Sequence, residues 1–204
     1  MIEVTEKGRK ITGWILIVVM ILFAVVYHFV LQPKYRYKET ANLIEQEKYE
    51  DAISMLELMK EDNEIISRKY ECYYNIGLNA FDEGDFTKSV ENLSKVPADY
   101  NAQGFLDAAK VLEEFQGKWT GKENNLEIAG WDLKYYNLDG VATSSSTIDK
   151  TTLVVHDDEF NGATFMNEGN TSIYLIDVDG LLNVSTNDNL LKYLPGDFAK
   201  TKAE

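Results

Sequence analysis

Hydrophobic and polar positions follow three patterns along this chain, one after another. From Ile11 to Leu31 no charged residue occurs, and at about 1.5 Å rise per residue such a run matches a hydrocarbon core of roughly 30 Å. From about Tyr35 to Phe115 apolar residues recur at helical spacing, and β-branched runs are scarce. From Gly117 onward, short alternating runs of Thr, Val, Ile and Tyr are punctuated by Asn, Asp and Gly. The order, helices first and strands after, predicts an α+β multidomain chain. Its parts are an N-terminal transmembrane helix, a short α-solenoid of helix pairs, and a C-terminal antiparallel β meander or small barrel. The boundaries are a cytoplasmic tail over 1–10, a transmembrane signal anchor over 11–31, a helical domain over 32–116 and a β domain over 117–204.

The apolar run is longer than the core of a signal peptide and ends without a small-x-small cleavage site, so it reads as an uncleaved anchor. Trp14 and Tyr27 lie near its opposite ends, where aromatic rings settle at the headgroup level. His28, close to the helix end, reads as interfacial rather than as a proton relay. Lys7, Arg9 and Lys10 before the run balance Lys34, Arg36 and Lys38 after it, so the positive-inside count is a tie. Two weaker features favour an N-terminus inside the cell membrane with the rest extracytoplasmic. The basic tail is short, and from Gln32 to Glu204 17 basic side chains stand against 32 acidic ones, a net charge of −15. That acidity repels phosphates and argues against nucleic acid as a partner. A lone cysteine, Cys72, excludes an intrachain disulfide, and on a helix it reads as a packed thiol. Sequons at Asn92, Asn170 and Asn183 carry sugar only in a glycosylating pathway.

Within the helical region, the stretch from Tyr73 to Pro97 places Gly77 in one apolar helix, a turn at Glu83-Gly-Asp-Phe86, and Ser89, Val90, Leu93 and Val96 on one face of a second. Gly77 lets the facing helix come close, and Gly84 suits a left-handed C-cap. Thirty-seven residues earlier the second-helix phrase recurs. Tyr49 matches Phe86, Ala52 matches Ser89, Ile53 matches Val90, Leu56 matches Leu93 and Met59 matches Val96. This resembles the tetratricopeptide repeat, with Gly77 as its small residue, Gly84-Asp85-Phe86 as its turn and Pro97 as its terminal proline. Ser89 stands where that family usually has alanine. In the earlier copy Thr40 replaces the small glycine and Glu47 the turn glycine. Tyr100–Phe115 gives a single further helix, read as a cap over the open end. The resemblance implies a short concave face for a peptide or partner helix. The alternative is an unrelated five-helix bundle.

Beyond Gly117, strands are expected over Lys118–Gly121, Leu126–Leu138, Val141–Ile148, Thr151–His156, Phe160–Asn167, Thr171–Val178 and Leu181–Ser185. Turns fall at Asp139-Gly140, Asp157-Asp158, Gly169-Asn170 and Asp179-Gly180. Asn161-Gly162 is itself a turn signal, so the fifth strand could start at Ala163. Apolar alternation changes phase at Ala129-Gly130, which predicts a bulge or sharp bend inside one long strand. Gly117-Lys118-Trp119 resembles the Gly-x-Trp start of lipocalin-like barrels, which implies a barrel end plugged by tryptophan. The β domain is shorter than a full lipocalin, so an interior ligand cavity is not expected. The segment Asn187–Pro195 is expected to form a short helix or turn over an open edge.

Catalytic material is thin. Ser144–Ser146 with His156 and Asp157 can be drawn as a triad, and Asp177 and Asp179 beside Gly180 as a calcium loop. The first spans a polar β segment and a turn, and the second lacks further oxygen ligands. No glycine-rich phosphate loop occurs. The sequence therefore assigns no catalytic, cofactor-binding or metal residue and no cofactor. It predicts an interaction or scaffold protein with a protein partner in or near the same membrane. Binding of a small apolar or envelope-derived ligand by the β domain is the alternative, and an uncharacterised hydrolase a remote third.

Overall fold

The computed structural model describes residues 6–156, 162–167, 172–178, 181–186 and 196–200. Two compact units divide the chain, Met1–Cys72 and Tyr73–Glu204. The first holds α1 (Glu6–Val26), a π-helical turn (Tyr27–Leu31), α2 (Gln32–Glu45), α3 (Tyr49–Leu56) and the start of α4 (Asn63–Glu83). The second holds the remainder of α4, α5 (Phe86–Leu93), a 3-10 turn (Ala98–Tyr100), α6 (Gln103–Phe115) and strands β1 to β8.

The expected transmembrane helix is corrected by the structure. Among the described residues no helix is long and apolar enough to cross a membrane. α1 begins at Glu6, so its first turns carry Glu6, Lys7, Arg9 and Lys10, and it ends at Val26. Its uncharged part, 11–26, covers only about 24 Å at 1.5 Å per residue, short of a hydrocarbon core of roughly 30 Å. After Val26 the hydrogen bonding widens into the π turn, and α2 follows with Pro33 in its first turn and Lys34 and Arg36 close behind.

The two helical hairpins end and restart alike. α2 stops in a Schellman motif: Glu47 N–H donates to Ile44 O at 2.9 Å and Lys48 N–H to Leu43 O at 2.9 Å. α4 stops 37 residues later with the same pair, Gly84 N–H to Phe81 O at 3.0 Å and Asp85 N–H to Ala80 O at 2.9 Å. The left-handed residue is Glu47 in one (φ +59°) and Gly84 in the other (φ +80°). α3 and α5 each run for eight residues. Apolar burial repeats as well. Ala52, Leu56, Ile65 and Cys72 form the core of the first unit, exposed by at most 2%. The positions 37 further on, Ser89, Leu93, Ala102 and Ala109, are all buried in the second, exposed by at most 3%.

β1 (Gly117–Thr120), β2 (Asn124–Ala129), β3 (Asp132–Asn137), β4 (Ala142–His156), β5 (Gly162–Asn167), β6 (Ser172–Val178), β7 (Leu181–Thr186) and β8 (Gly196–Lys200) pair antiparallel in sequence order. The meander curls until β8 meets β1 through Trp119↔Lys200 and Thr120↔Ala199, closing a barrel. Three strand expectations change. The expected long strand Leu126–Leu138 is two strands, because Ala129 pairs with Asp132 and leaves a two-residue turn with Gly130 first, at φ +58°. The expected break between Ile148 and Thr151 is an irregularity inside the single strand β4. There the Asp149 carboxylate accepts from Thr151 N–H at 3.0 Å and Oγ1 at 2.7 Å, while Thr152 Oγ1 accepts from Met166 N–H at 2.8 Å. β8 was not foreseen at all. The Asn187–Pro195 segment and the turns at Asp157-Asp158, Gly169-Asn170 and Asp179-Gly180 lie outside the described residues.

Inward positions of the barrel and one face of the second unit's helices share one core. It joins Phe81, Phe86, Leu112 and Phe115 to Trp119, Leu133, Tyr135 and Phe198. Burying each large apolar side chain contributes about 1.5–3 kcal/mol, so this continuity ties helices and barrel together. Trp131, in the β2–β3 turn, is only 8% exposed. Its indole N–H donates to Phe81 O at 3.0 Å, and its ring meets Phe81 and Phe86 edge-on at 5.2 and 5.0 Å between centroids. Gly84 and Gly130 lie so close that a Cβ on Gly84 would sit 2.7 Å from Gly130 Cα. Gln116 completes the joint: its Oε1 accepts from Gly130 N–H at 2.7 Å.

Candidate functional site

In the first unit, α1 buries no side chain between Trp14 and Val26, and each is at least half-exposed or close to it, from Ile17 at 44% to Trp14 at 69%. A helix that is apolar all round and uncovered is unusual, because such a surface is ordinarily buried. Where it ends, a cleft of about 540 Å³ opens between the start of α2 and the α3–α4 connection. Its floor is Tyr37, Met59 and Ile65, and its rim carries His28, Lys34, Arg36 and Lys60.

Local hydrogen bonding shapes that rim. Arg36 Nη1 donates to Leu58 O at 2.8 Å, which holds the α3–α4 connection beside α2 and leaves the rest of the guanidinium at the cleft. Asp62, also on the rim, is used as the cap of α4: its Oδ1 accepts from Glu64 N–H at 3.0 Å and Ile65 N–H at 2.9 Å. Glu64 lies 3.7 Å from Arg68, which in turn donates to Tyr37 Oη at 2.7 Å. The rim's two acids make these contacts while remaining exposed, as Lys34 and Lys60 are.

The second unit carries a shallower hollow of about 330 Å³ beside β1, β2 and β3. Lys118, Asn125, Glu127 and Tyr136 line it, and Tyr136 Oη donates to the Glu127 carboxylate at 2.7 Å. That hydrogen bond to an acceptor anion raises the Tyr136 pKa above the usual phenol value. Inside the barrel, the Tyr135 hydroxyl has no hydrogen-bond partner, and burial alone pushes its pKa up. Protein-family models, characterised proteins and solved structures were compared with the chain, and none matches it. The reading of either site therefore rests on its own geometry.

The residues singled out from sequence are not brought together. Ser144–Ser146 pair with β3, at Tyr135 to Leu133, whereas the backbone of His156 pairs with Gly162 on β5. Ten to twelve strand residues separate them, on the order of 30 Å. Asp157 and Asp179 lie outside the described residues, and Asp177 pairs along β6–β7 with Leu182. Among the described residues no three His, Cys, Asp or Glu side chains converge as a metal group. Cys72 is fully buried, and burial pushes its thiol up to about 12. Asn92 is 7% exposed, and its amide nitrogen donates to Lys88 O at 2.8 Å, so the folded chain does not present it for glycosylation. Asn183 sits within β7, and Asn170 lies outside the described residues.

The basic cleft was not read from the sequence. Lys34 and Arg36 entered only as charges for topology, and Lys60 not at all. The available signal was the basic cluster Lys34–Lys38 directly after an apolar helix; Lys60, in the α3–α4 connection, stands alone in sequence.

Proposed function

We propose that the chain is a protein–protein interaction or scaffold module of a membrane or envelope complex, with tetratricopeptide-like hairpins as its helical part. The observation that carries this reading is the duplicated hairpin, which repeats turn geometry and core positions 37 residues apart and has no convergent reactive groups at either copy. Repeated helix pairs of this kind generate surface rather than reaction centres. The uncovered apolar helix α1 adds that the chain works in company, since an exposed patch of that extent marks an attachment site. Trp119, 4% exposed in the core that barrel and helices share, takes up interior space that an apolar ligand in the barrel would need.

Photo-crosslinkers placed at exposed Tyr35 and Leu58, in cells that make the full chain, test the reading. A specific adduct that disappears with Leu58→Asp, while the protein still folds, supports it. Uniform labelling of many proteins, unchanged by the substitution, overturns it.

A further inference from the structure

We infer that the cleft at the end of α1 is a binding site for the headgroup of an anionic phospholipid, whose acyl chains lie along α1. This deepens the interaction reading by naming what one surface of the module meets.

Three observations converge on it. First, α1 presents apolar side chains on every side up to Val26, and the helix runs through the π turn directly into the cleft wall at Gln32 and Pro33. An amphiphile laid along that helix would bring its polar end to this place. Second, basic side chains outnumber acidic ones in the cleft, three to two, on a chain whose net charge is −14. Lys34, Arg36 and Lys60 line it together with Asp62, whose carboxylate caps α4, and Glu64, whose charge is partly offset by Arg68 at 3.7 Å. Third, its volume of about 540 Å³ falls within the range of small-molecule sites, and Tyr37, Met59 and Ile65 supply an apolar floor for the glycerol end. The acidic remainder of the chain is repelled by an anionic bilayer, so attraction at this one point would orient the module as well as hold it. Arginine offers a planar fork for phosphate oxygens, and the two lysines add point charges on flexible stems.

The test is co-sedimentation of the full chain with vesicles of neutral phosphatidylcholine, or of the same lipid with about a third phosphatidylglycerol. The expected result is a clear preference for the anionic vesicles that weakens with salt. Each basic side chain near such a surface is worth roughly fivefold in affinity, so Lys34→Gln/Lys60→Gln together should reduce anionic binding about 25-fold. Lys122→Gln/Lys134→Gln, which removes the same charge from the β domain, should leave it unchanged. Equal binding to both vesicles, or equal loss in the two variants, overturns the inference. So does displacement of the protein by millimolar inorganic phosphate at constant ionic strength, which would make this a free-anion site. The assay contains no protein partner, so its failure leaves the crosslinking test of the interaction reading intact.

Discussion

The two helical hairpins, α2–α3 and α4–α5, share a backbone plan and differ in how it is filled. Both turn through the same pair of Schellman hydrogen bonds, yet one places Glu47 at the left-handed residue and the other Gly84. Both pack a small-residue position of the first helix near the second, yet one has Thr40 there and the other Gly77. Thr40 is wholly buried and satisfies its hydroxyl by donating to Arg36 O at 2.8 Å. The second copy has glycines at both places and is squeezed from two sides within its unit: Leu93 presses on Gly77, and the Gly130–Trp131 turn of the barrel presses on Gly84. Glycine here answers to neighbours as much as to the turn itself.

Substitution at Gly84 should break the parallel most severely. Alanine there must hold φ +80° and place its Cβ 2.7 Å from Gly130 backbone, with nothing flexible to give way. Strain and overpacking together should cost about 3–4 kcal/mol. Chemical denaturation followed by tryptophan fluorescence, which reports Trp119 and Trp131, would show it as a lower midpoint. At Glu47 the opposite change, Glu47→Gly, should stabilise the first unit by up to ~1 kcal/mol, because a non-glycine residue gives up left-handed strain. If both substitutions behave alike, neighbour contact is not what separates the copies.

Gly77→Ala comes next. Its Cβ would lie 2.6 Å from Leu93 Cγ and Cδ2 and 3.3 Å from Leu93 N. The leucine side chain can shift, though the backbone behind it cannot move as freely, so about 1–3 kcal/mol should be lost. Leu93→Ala in the same chain should relieve part of that penalty, and a double-mutant cycle in denaturant would measure the coupling. Strict additivity would mean that the two helices are not held together at this point.

How far the sequence could be read follows from the same contrast. The hairpins were legible because four apolar positions and one small one repeat at one spacing and Gly84 marks the turn. The start of the barrel at Gly117 was legible because the alternation changes period there. Trp131 was not, since a large aromatic beside glycine reads as strand; only its contact with Phe81 and Phe86 reveals a turn residue buried against helices. The irregularity in β4 looked like a strand end because Asp149-Lys150 interrupts the strand-forming run, whereas the Asp149 carboxylate is held locally by Thr151 and the Thr152 hydroxyl takes the Met166 N–H in place of a backbone carbonyl. The basic cleft was illegible because Lys34 and Lys60 are 26 residues apart and meet only through the fold.

Cys72 sharpens the comparison through pH. Its counterpart 37 residues on is Ala109, equally buried and without a titrating group. Burial, then the nearby Glu71, raises the thiol from its ordinary 9.0 to about 12. The unfolded chain therefore loses this proton first, and the thiol's contribution to the first unit is complete below about pH 9 and is lost as pH rises towards about 12. Hydrogen exchange in that unit should accelerate over the window more steeply than in Cys72→Ala, while exchange near Ala109 should not differ between the two proteins. Equal pH slopes in the first unit would show that the thiol titrates normally.

The smallest expected effect is the most pointed, because it asks whether the second copy is built as well as it could be. Ser89 occupies the place of Ala52, is wholly buried, and its hydroxyl has no hydrogen-bond partner. A buried, unsatisfied hydroxyl costs roughly 1–3 kcal/mol, and removing it leaves a void of only one oxygen in a site shaped for a small side chain. Ser89→Ala should therefore stabilise the second unit by about 1 kcal/mol, and Ala52→Ser should destabilise the first by a similar amount. Denaturant midpoints for the two variants settle the matter by sign alone. A destabilised Ser89→Ala protein would mean that the hydroxyl is satisfied in solution, and that serine is as well suited to this copy as alanine is to the other.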